Sequence, residues 1–129
     1  MASEYCDIEI TKMLLETDFP LFKIKVQNQC RPIYYTLPQE HPDWSNCDAY
    51  YIPSIYEVHT WLRRSKKLLI EVDMLSDQTF LISIIDMNKT LCKAVCRAKS
   101  YEESLLKGIK ESLKILKDHE SRNREMEEL

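Results

Sequence analysis

Leu68-Leu69-Ile70-Glu71-Val72-Asp73-Met74, Thr79-Phe80-Leu81-Ile82-Ser83-Ile84-Ile85 and Thr90-Leu91-Cys92-Lys93-Ala94-Val95-Cys96-Arg97 follow one another almost without pause. Each is rich in β-branched or apolar residues and each is bounded by turn formers, Ser76-Asp77 and Asp86-Met87-Asn88-Lys89. Connections this short leave no room for a crossover, so the three runs predict an antiparallel meander. In the middle run Phe80, Ile82 and Ile84 share one face and Leu81 and Ile85 the other, which suggests that both faces are covered, the second by the N-terminal region or by another copy of the chain. Glu71 and Asp73 alternate outward and carry no sign of a raised carboxyl pKa.

Two amphipathic segments flank the meander. Ser54-Ile55-Tyr56-Glu57 fits the S-x-x-E capping box and opens an apolar stripe of Ile55, Val58, Trp61 and Leu62. Arg63-Arg64-Ser65-Lys66-Lys67 closes it with positive charge, which suits a helix C-terminus. Ser100-Tyr101-Glu102-Glu103 is a second box, followed by Leu105, Leu106, Ile109, Leu113 and Leu116 on one face and Lys107, Lys110, Glu111 and Lys114 on the other. Gly108 lies inside this helix at a cost of about 1 kcal/mol relative to Ala, so close backbone approach to the sheet is its expected reason. The core order is α-β-β-β-α, a two-layer α+β domain with both helices on one face of a three-stranded antiparallel meander.

Upstream, Asp7 can cap a helix over residues 8–17, with Ile8, Thr11, Leu14 and Leu15 on one stripe, and Asp18-Phe19-Pro20 ends it. Phe22-Lys23-Ile24-Lys25-Val26 alternates, Ile33-Tyr34-Tyr35-Thr36-Leu37 is a second β-prone run, and the two can pair as a hairpin. Residues 38–53 hold three prolines and several turn formers and read as a long irregular loop. A single domain over residues 1–117 is expected, with 118–129 as a polar tail in which nothing drives packing.

Several of these segments resemble short proteins encoded by prophages and mobile elements of gut bacteria. The likeness rests on Pro53-Ser54 through Trp61-Leu62-Arg63, on Leu69-Ile70-Glu71-Val72, and on Ser100-Tyr101-Glu102-Glu103 with Gly108-Ile109-Lys110-Glu111-Ser112-Leu113-Lys114; the opening Asp7 to Leu15 is also similar. It spans most of residues 5–116, and departs around 27–48 and at Ser104 and Ser112, where the family usually has Ala. It implies a small α+β fold and brings no activity and no catalytic residues with it.

Composition narrows the chemistry. Of 129 residues, 18 are Lys or Arg and 21 Asp or Glu, a net charge of −3 that gives no chain-wide basic field for nucleic acid. One Gly in the chain excludes GxGxxG, the P-loop and the GxSxG elbow. Apolar runs stop far short of the ~20 residues of a membrane span, and Met1 to Asp7 lack the character of a secretory signal, so a cytoplasmic protein is expected. Five Cys, an odd number with no framework spacing, read as reduced thiols; Cys92 and Cys96 on one straight strand would share a face with Cα atoms ~13 Å apart, beyond disulfide reach. Cys30, His41 and Cys47, with Asp43 and Asp48, are the one soft-ligand grouping, but they lack a close ligand pair, so no metal and no cofactor is expected. His59 reads as a structural histidine rather than the base of a Cys92 or Cys96 nucleophile, since no cysteine sits in a setting that lowers its pKa. Glu102 and Glu103 are explained by capping.

Two surfaces compete for a role. Trp44, Tyr50, Tyr51 and Tyr56, with Tyr34 and Tyr35, gather in and around the loop and can anchor a protein partner or seal the core. Arg63, Arg64, Lys66 and Lys67, with Lys89, Lys93, Arg97 and Lys99, form a basic set in the element order of double-stranded-RNA-binding domains, but Tyr101-Glu102-Glu103 at the start of the last helix would repel phosphate. The expectation is therefore a non-enzymatic accessory protein acting through protein–protein contacts, self-association among them; nucleic-acid binding through Arg63–Lys67 and Lys89–Lys99 is the alternative.

Overall fold

A computed structural model describes residues 5–24, 31–36, 48–88 and 91–127, with backbone alone at 24, 35–36, 48, 91–96 and 121–127. The chain is α+β, with three helices and two three-stranded antiparallel sheets. It forms two compact units, residues 3–54 and, apart from the first two residues, residues 55–129. No helix among the described residues is long and apolar enough to cross a membrane.

In the N-terminal unit, α1 covers Ile8–Leu14. Asp7 caps it as expected, its carboxylate accepting the Ile10 N–H at 2.8 Å. The helix stops short of residue 17 because Thr17 intervenes: its hydroxyl donates to the Leu14 carbonyl at 2.7 Å and accepts from the Phe19 N–H at 3.1 Å. Ile10, Thr11 and Leu14 are fully buried, whereas Ile8 and Leu15 are exposed, so the inward stripe is rotated from the expected one. The strands are β1 (Lys23–Ile24), β2 (Ile33–Thr36) and β3 (Asp48–Tyr51), in the order β1-β3-β2. The expected hairpin between the first two is therefore corrected: both pair with β3, which lies in the stretch read as loop. β3 is central in that both other strands pair with it, and its Ala49 is small and fully buried. Pro53 then closes the unit, its carbonyl accepting the Cys6 N–H at 2.9 Å.

The C-terminal unit follows the sequence reading more closely. It consists of α2 (Ile55–Ser65), β4 (Leu68–Met74), β5 (Phe80–Asp86), β6 (Leu91–Ala98) and α3 (Tyr101–Glu127), with sheet order β4-β5-β6. Cross-strand partners Ile70 with Ile84 and Val72 with Ile82 define the face under the helices. Leu68, Ile70, Ile82 and Ile84 are buried there, with Val58 and Leu62 of α2 and Ile109 and Leu113 of α3. Register shifts between Ile82 and Ser83, which face Cys96 and Ala94, so Val95 is an extra residue in β6. The bulge sets Cys92 opposite Ile85 and Cys96 opposite Ile82, residues of opposite faces, which corrects the shared face expected for a straight strand. The polar segment expected as a tail continues α3 through residue 127.

A narrow stripe brings α3 down onto the sheet. Ser104, Gly108 and Ser112 recur at four-residue spacing, and both serines are fully buried. Their hydroxyls donate to the Ser100 and Gly108 carbonyls, each at 2.8 Å, and so enter the interface without an open donor. A Cβ on Gly108 would stand 2.6 Å from Ile70 Cγ2 and 3.3 Å from Ile82 Cγ2. The close approach expected of this glycine is thus present. Leu105, Leu106 and Leu116, expected on the inner face, are only half-buried, because the small residues occupy its centre.

With its one glycine placed there, the chain turns elsewhere on residues that fit badly. Lys67, after α2, has φ 58, and Gln78 has φ 67, both in the left-handed region that favours glycine. Gln78 ends a three-residue hairpin loop: its N–H donates to the Leu75 carbonyl at 3.0 Å, and the Leu75 N–H to Thr79 O at 2.8 Å.

Gly108→Ala is expected to lower stability by about 1–3 kcal/mol in urea unfolding, despite alanine's better helix propensity, and to cost less in an Ile70→Ala background. An unchanged or raised midpoint with Ile70 intact, or an equal loss in both backgrounds, would refute the close-packing account. Lys67→Gly and Gln78→Gly should each add about 0.5–1 kcal/mol, read as higher denaturation midpoints.

Candidate functional site

The aromatic residues are the first candidates. Trp44 lies outside the described residues. Tyr50 and Tyr51 belong to β3, not to a loop: Tyr50 is registered opposite Lys23 and Tyr34, and Tyr51 opposite Ile33. Both are half-buried. The Arg31 guanidinium lies 5.0 Å from the centre of the Tyr51 ring and 5.8 Å from that of Tyr5, and its Nη2 donates to the Ile52 carbonyl at 3.2 Å. Lys12 places its ammonium 5.6 Å from the Tyr34 ring. Tyr5, Tyr34 and Tyr51 thus each face a cation of the N-terminal unit. Tyr56 belongs to the other unit, on α2, where it is 75% exposed.

The basic residues separate into two groups of different character. Lys89 lies outside the described residues, and Lys93 is placed by backbone alone, opposite Ile84. Arg97 and Lys99 are exposed and, with Thr79, Ala98, Glu103 and Lys107, line an open cleft of about 390 Å³ at the start of α3. Acids are interleaved here. The Glu103 N–H donates to Ser100 Oγ at 3.1 Å, completing half of the expected capping box, while the Glu103 carboxylate accepts the Lys99 N–H, one residue further back than the motif prescribes, at 3.3 Å. Its other oxygen is 3.3 Å from Lys107 Nζ, and that ammonium also donates to the Arg97 carbonyl at 3.1 Å. The Lys99 N–H bond first, and then Lys107, holds the Glu103 carboxyl below the ordinary carboxylate range. Asp77 is lowered too, chiefly by the Thr79 hydroxyl at 2.6 Å and N–H at 3.1 Å, and further by the charge of Arg97. The cleft lining thus holds three cations, Arg97, Lys99 and Lys107, against the single carboxylate of Glu103, with Asp77 nearby.

The second group lies at the end of α2. Arg63, Arg64 and Lys67 are exposed, and among the described residues none forms an ion pair. Lys66 differs, its ammonium lying 5.4 Å from the Trp61 ring.

For the nucleophile reading, His59 Nε2 is 3.4 Å from the Ile70 carbonyl, which places its proton on Nε2 and ties α2 to the backbone of β4. Cys92 and Cys96 are placed by backbone alone. Cys30, His41 and Cys47 lie outside the described residues; among the described ones no group of three His, Cys, Asp or Glu could hold a metal ion. Arg31 and Lys107, two of the most engaged cations, are absent from the residues singled out by sequence. The signal for Lys107 was its i+4 spacing from Glu103; Arg31 had none, since its tyrosine partners are distant in sequence.

Compared with protein-family models, curated proteins and solved structures, the chain matches none.

The lowered Glu103 carboxyl fixes a sign. A carboxylate depressed in the folded state contributes stability above its unfolded pKa and loses it as pH falls through the folded value. Thermal unfolding from about pH 6 to about pH 2 should therefore show an acid-side loss that is shallower in Glu103→Gln. Carboxyl-carbon NMR should find Glu103 titrating below the other exposed glutamates; a midpoint at or above theirs would contradict the capping and ion-pair geometry.

Proposed function

We propose that the chain is a non-catalytic accessory protein, of the phage and mobile-element kind its sequence resembles, and that it acts by binding other protein. The observation that carries this reading is the second face of the meander. α2 and α3 cover the side of Ile70, Ile82 and Ile84. On the opposite side the register aligns Leu69 with Ile85, and Leu81 with Asp73 and Arg97. Leu69, Leu81 and Ile85 are each half-buried rather than buried. Glu71 and Ser83 lie between these apolar positions, so the face mixes apolar Leu69, Leu81 and Ile85 with Glu71, Asp73 and Arg97, a composition like that of non-obligate protein contact surfaces.

The nucleic-acid reading has less support on the β6 side, because Glu103 pairs with Lys107 and Asp77 lies in the field of Arg97, which reduces the free positive charge there. Phosphate contacts need cations free to replace counterions.

Leu81→Glu tests the proposal. Immobilised wild-type chain and the variant, matched by far-UV circular dichroism, are challenged with an extract of the native host. A protein retained by the wild type and lost with the variant supports the reading; equal retention, or none by either, overturns it.

A further inference from the structure

The end of α2 and the far end of α3 carry charge of opposite sign. Arg63, Arg64 and Lys67 are exposed cations without an ion-pair partner among the described residues. Positive charge there suits the negative end of the α2 dipole. The end of α3 is built the other way. Residues 118–129 hold five acidic residues, Asp118 to Glu128, against Arg122 and Arg124. Acids at a helix C-terminus oppose its dipole, so this end gains from cations brought to it. Asp118 and Glu120 are exposed and unpaired among the described residues.

Length adds a second argument. At 27 residues α3 runs about 40 Å, whereas the seven residues of β5 span about 23 Å. More than 15 Å of helix, roughly its last ten residues, therefore exceeds what the sheet can support. Side chains from Lys117 to Glu120 are exposed or half-buried, in contrast to Ile109 and Leu113. Asp118 and Glu120 thus lie exposed on a stretch of helix longer than the sheet beneath it.

We propose that a second copy of this chain docks on these charges: the acidic end of α3 in each copy meets Arg63, Arg64 and Lys67 of the other, in a symmetric pair. A two-fold arrangement satisfies both ends at once, since each copy supplies one of each sign. Another copy is favoured because it brings, at equal concentration, an acidic segment complementary to the basic turn and a basic turn complementary to the acidic segment, whereas a nucleic acid satisfies only the turn. This deepens the protein-contact reading and rests on it, but uses a surface separate from Leu81.

Sedimentation equilibrium of the full chain tests it. Dimer is expected at about 50 mM salt, weakening about tenfold or more at about 500 mM. A charge-reversed turn (Arg63→Glu, Arg64→Glu, Lys67→Glu) and a charge-reversed helix end (Asp118→Lys, Glu120→Lys, Glu125→Lys, Glu127→Lys) should each be monomeric alone. Mixed, they should recover a heterodimer, because both pairs of ends are then complementary again; a folding defect could not be rescued this way. A wild type that stays monomeric at low salt overturns the inference, as does a dimer that survives both reversals. A dimer lost in Leu81→Glu but kept in both reversals also overturns it, while leaving the protein-contact reading intact. Monomeric wild type that binds an oligonucleotide through Arg63 and Arg64 would reassign the turn to nucleic acid.

Discussion

The C-terminal unit depends on how near the backbone of α3 comes to the sheet. At Gly108 the helix has no side chain, and the methyl groups of Ile70 and Ile82 fill the space a Cβ would need. That single contact sets the separation of the two layers. With the layers so close, only small residues can follow along the same line, which is why Ser104 and Ser112 are buried one turn to either side. Their hydroxyls bond back to the helix itself, so the interface remains dry of unsatisfied donors. Ile109 and Leu113 then fill the adjacent line, next to Val58 and Leu62 of α2 among the fully or nearly fully buried residues. Dispersion and apolar burial do the stabilising, but the spacing that lets them act is fixed by the absence of one carbon.

What the sequence revealed, and what it hid, follows from the range of the interactions involved. β4, β5 and β6 announce themselves because each is long, apolar and joined to the next by a short turn, so local pattern and tertiary pairing agree. α3 is equally plain from Ser100, Glu103 and the apolar spacing. Its inner face is less plain. A hydrophobicity count selects Leu105, Leu106 and Leu116, while packing selects serine and glycine, which no such count rewards. β3 was hidden for a related reason. Four residues, Asp48 to Tyr51, bordered by prolines and turn formers, carry no periodicity of their own; they become a strand only when β1 and β2 flank them. The Val95 bulge is likewise invisible in a run that alternates acceptably without it.

The candidate surfaces show the same division. Exposed charge could be read from the sequence, but its balance could not. Lys99 and Lys107 look as free as Arg63 and Arg64 until Glu103 is seen to bind both their backbone and side-chain groups. The aromatic cluster dissolves in the same way. Tyr51 is held by Arg31 within the N-terminal unit, and Tyr56 stands exposed in the other. Proximity in sequence grouped them, and the fold assigns them different work.

The position of Gly108 along the chain has a consequence for synthesis. All three meander strands precede it, and sequential pairing lets them associate as each emerges. Their oily side, however, has only α2 as a lid until α3 is made. A half-made C-terminal unit is therefore a sticky ribbon, and chaperones would meet it in that state rather than as the finished protein.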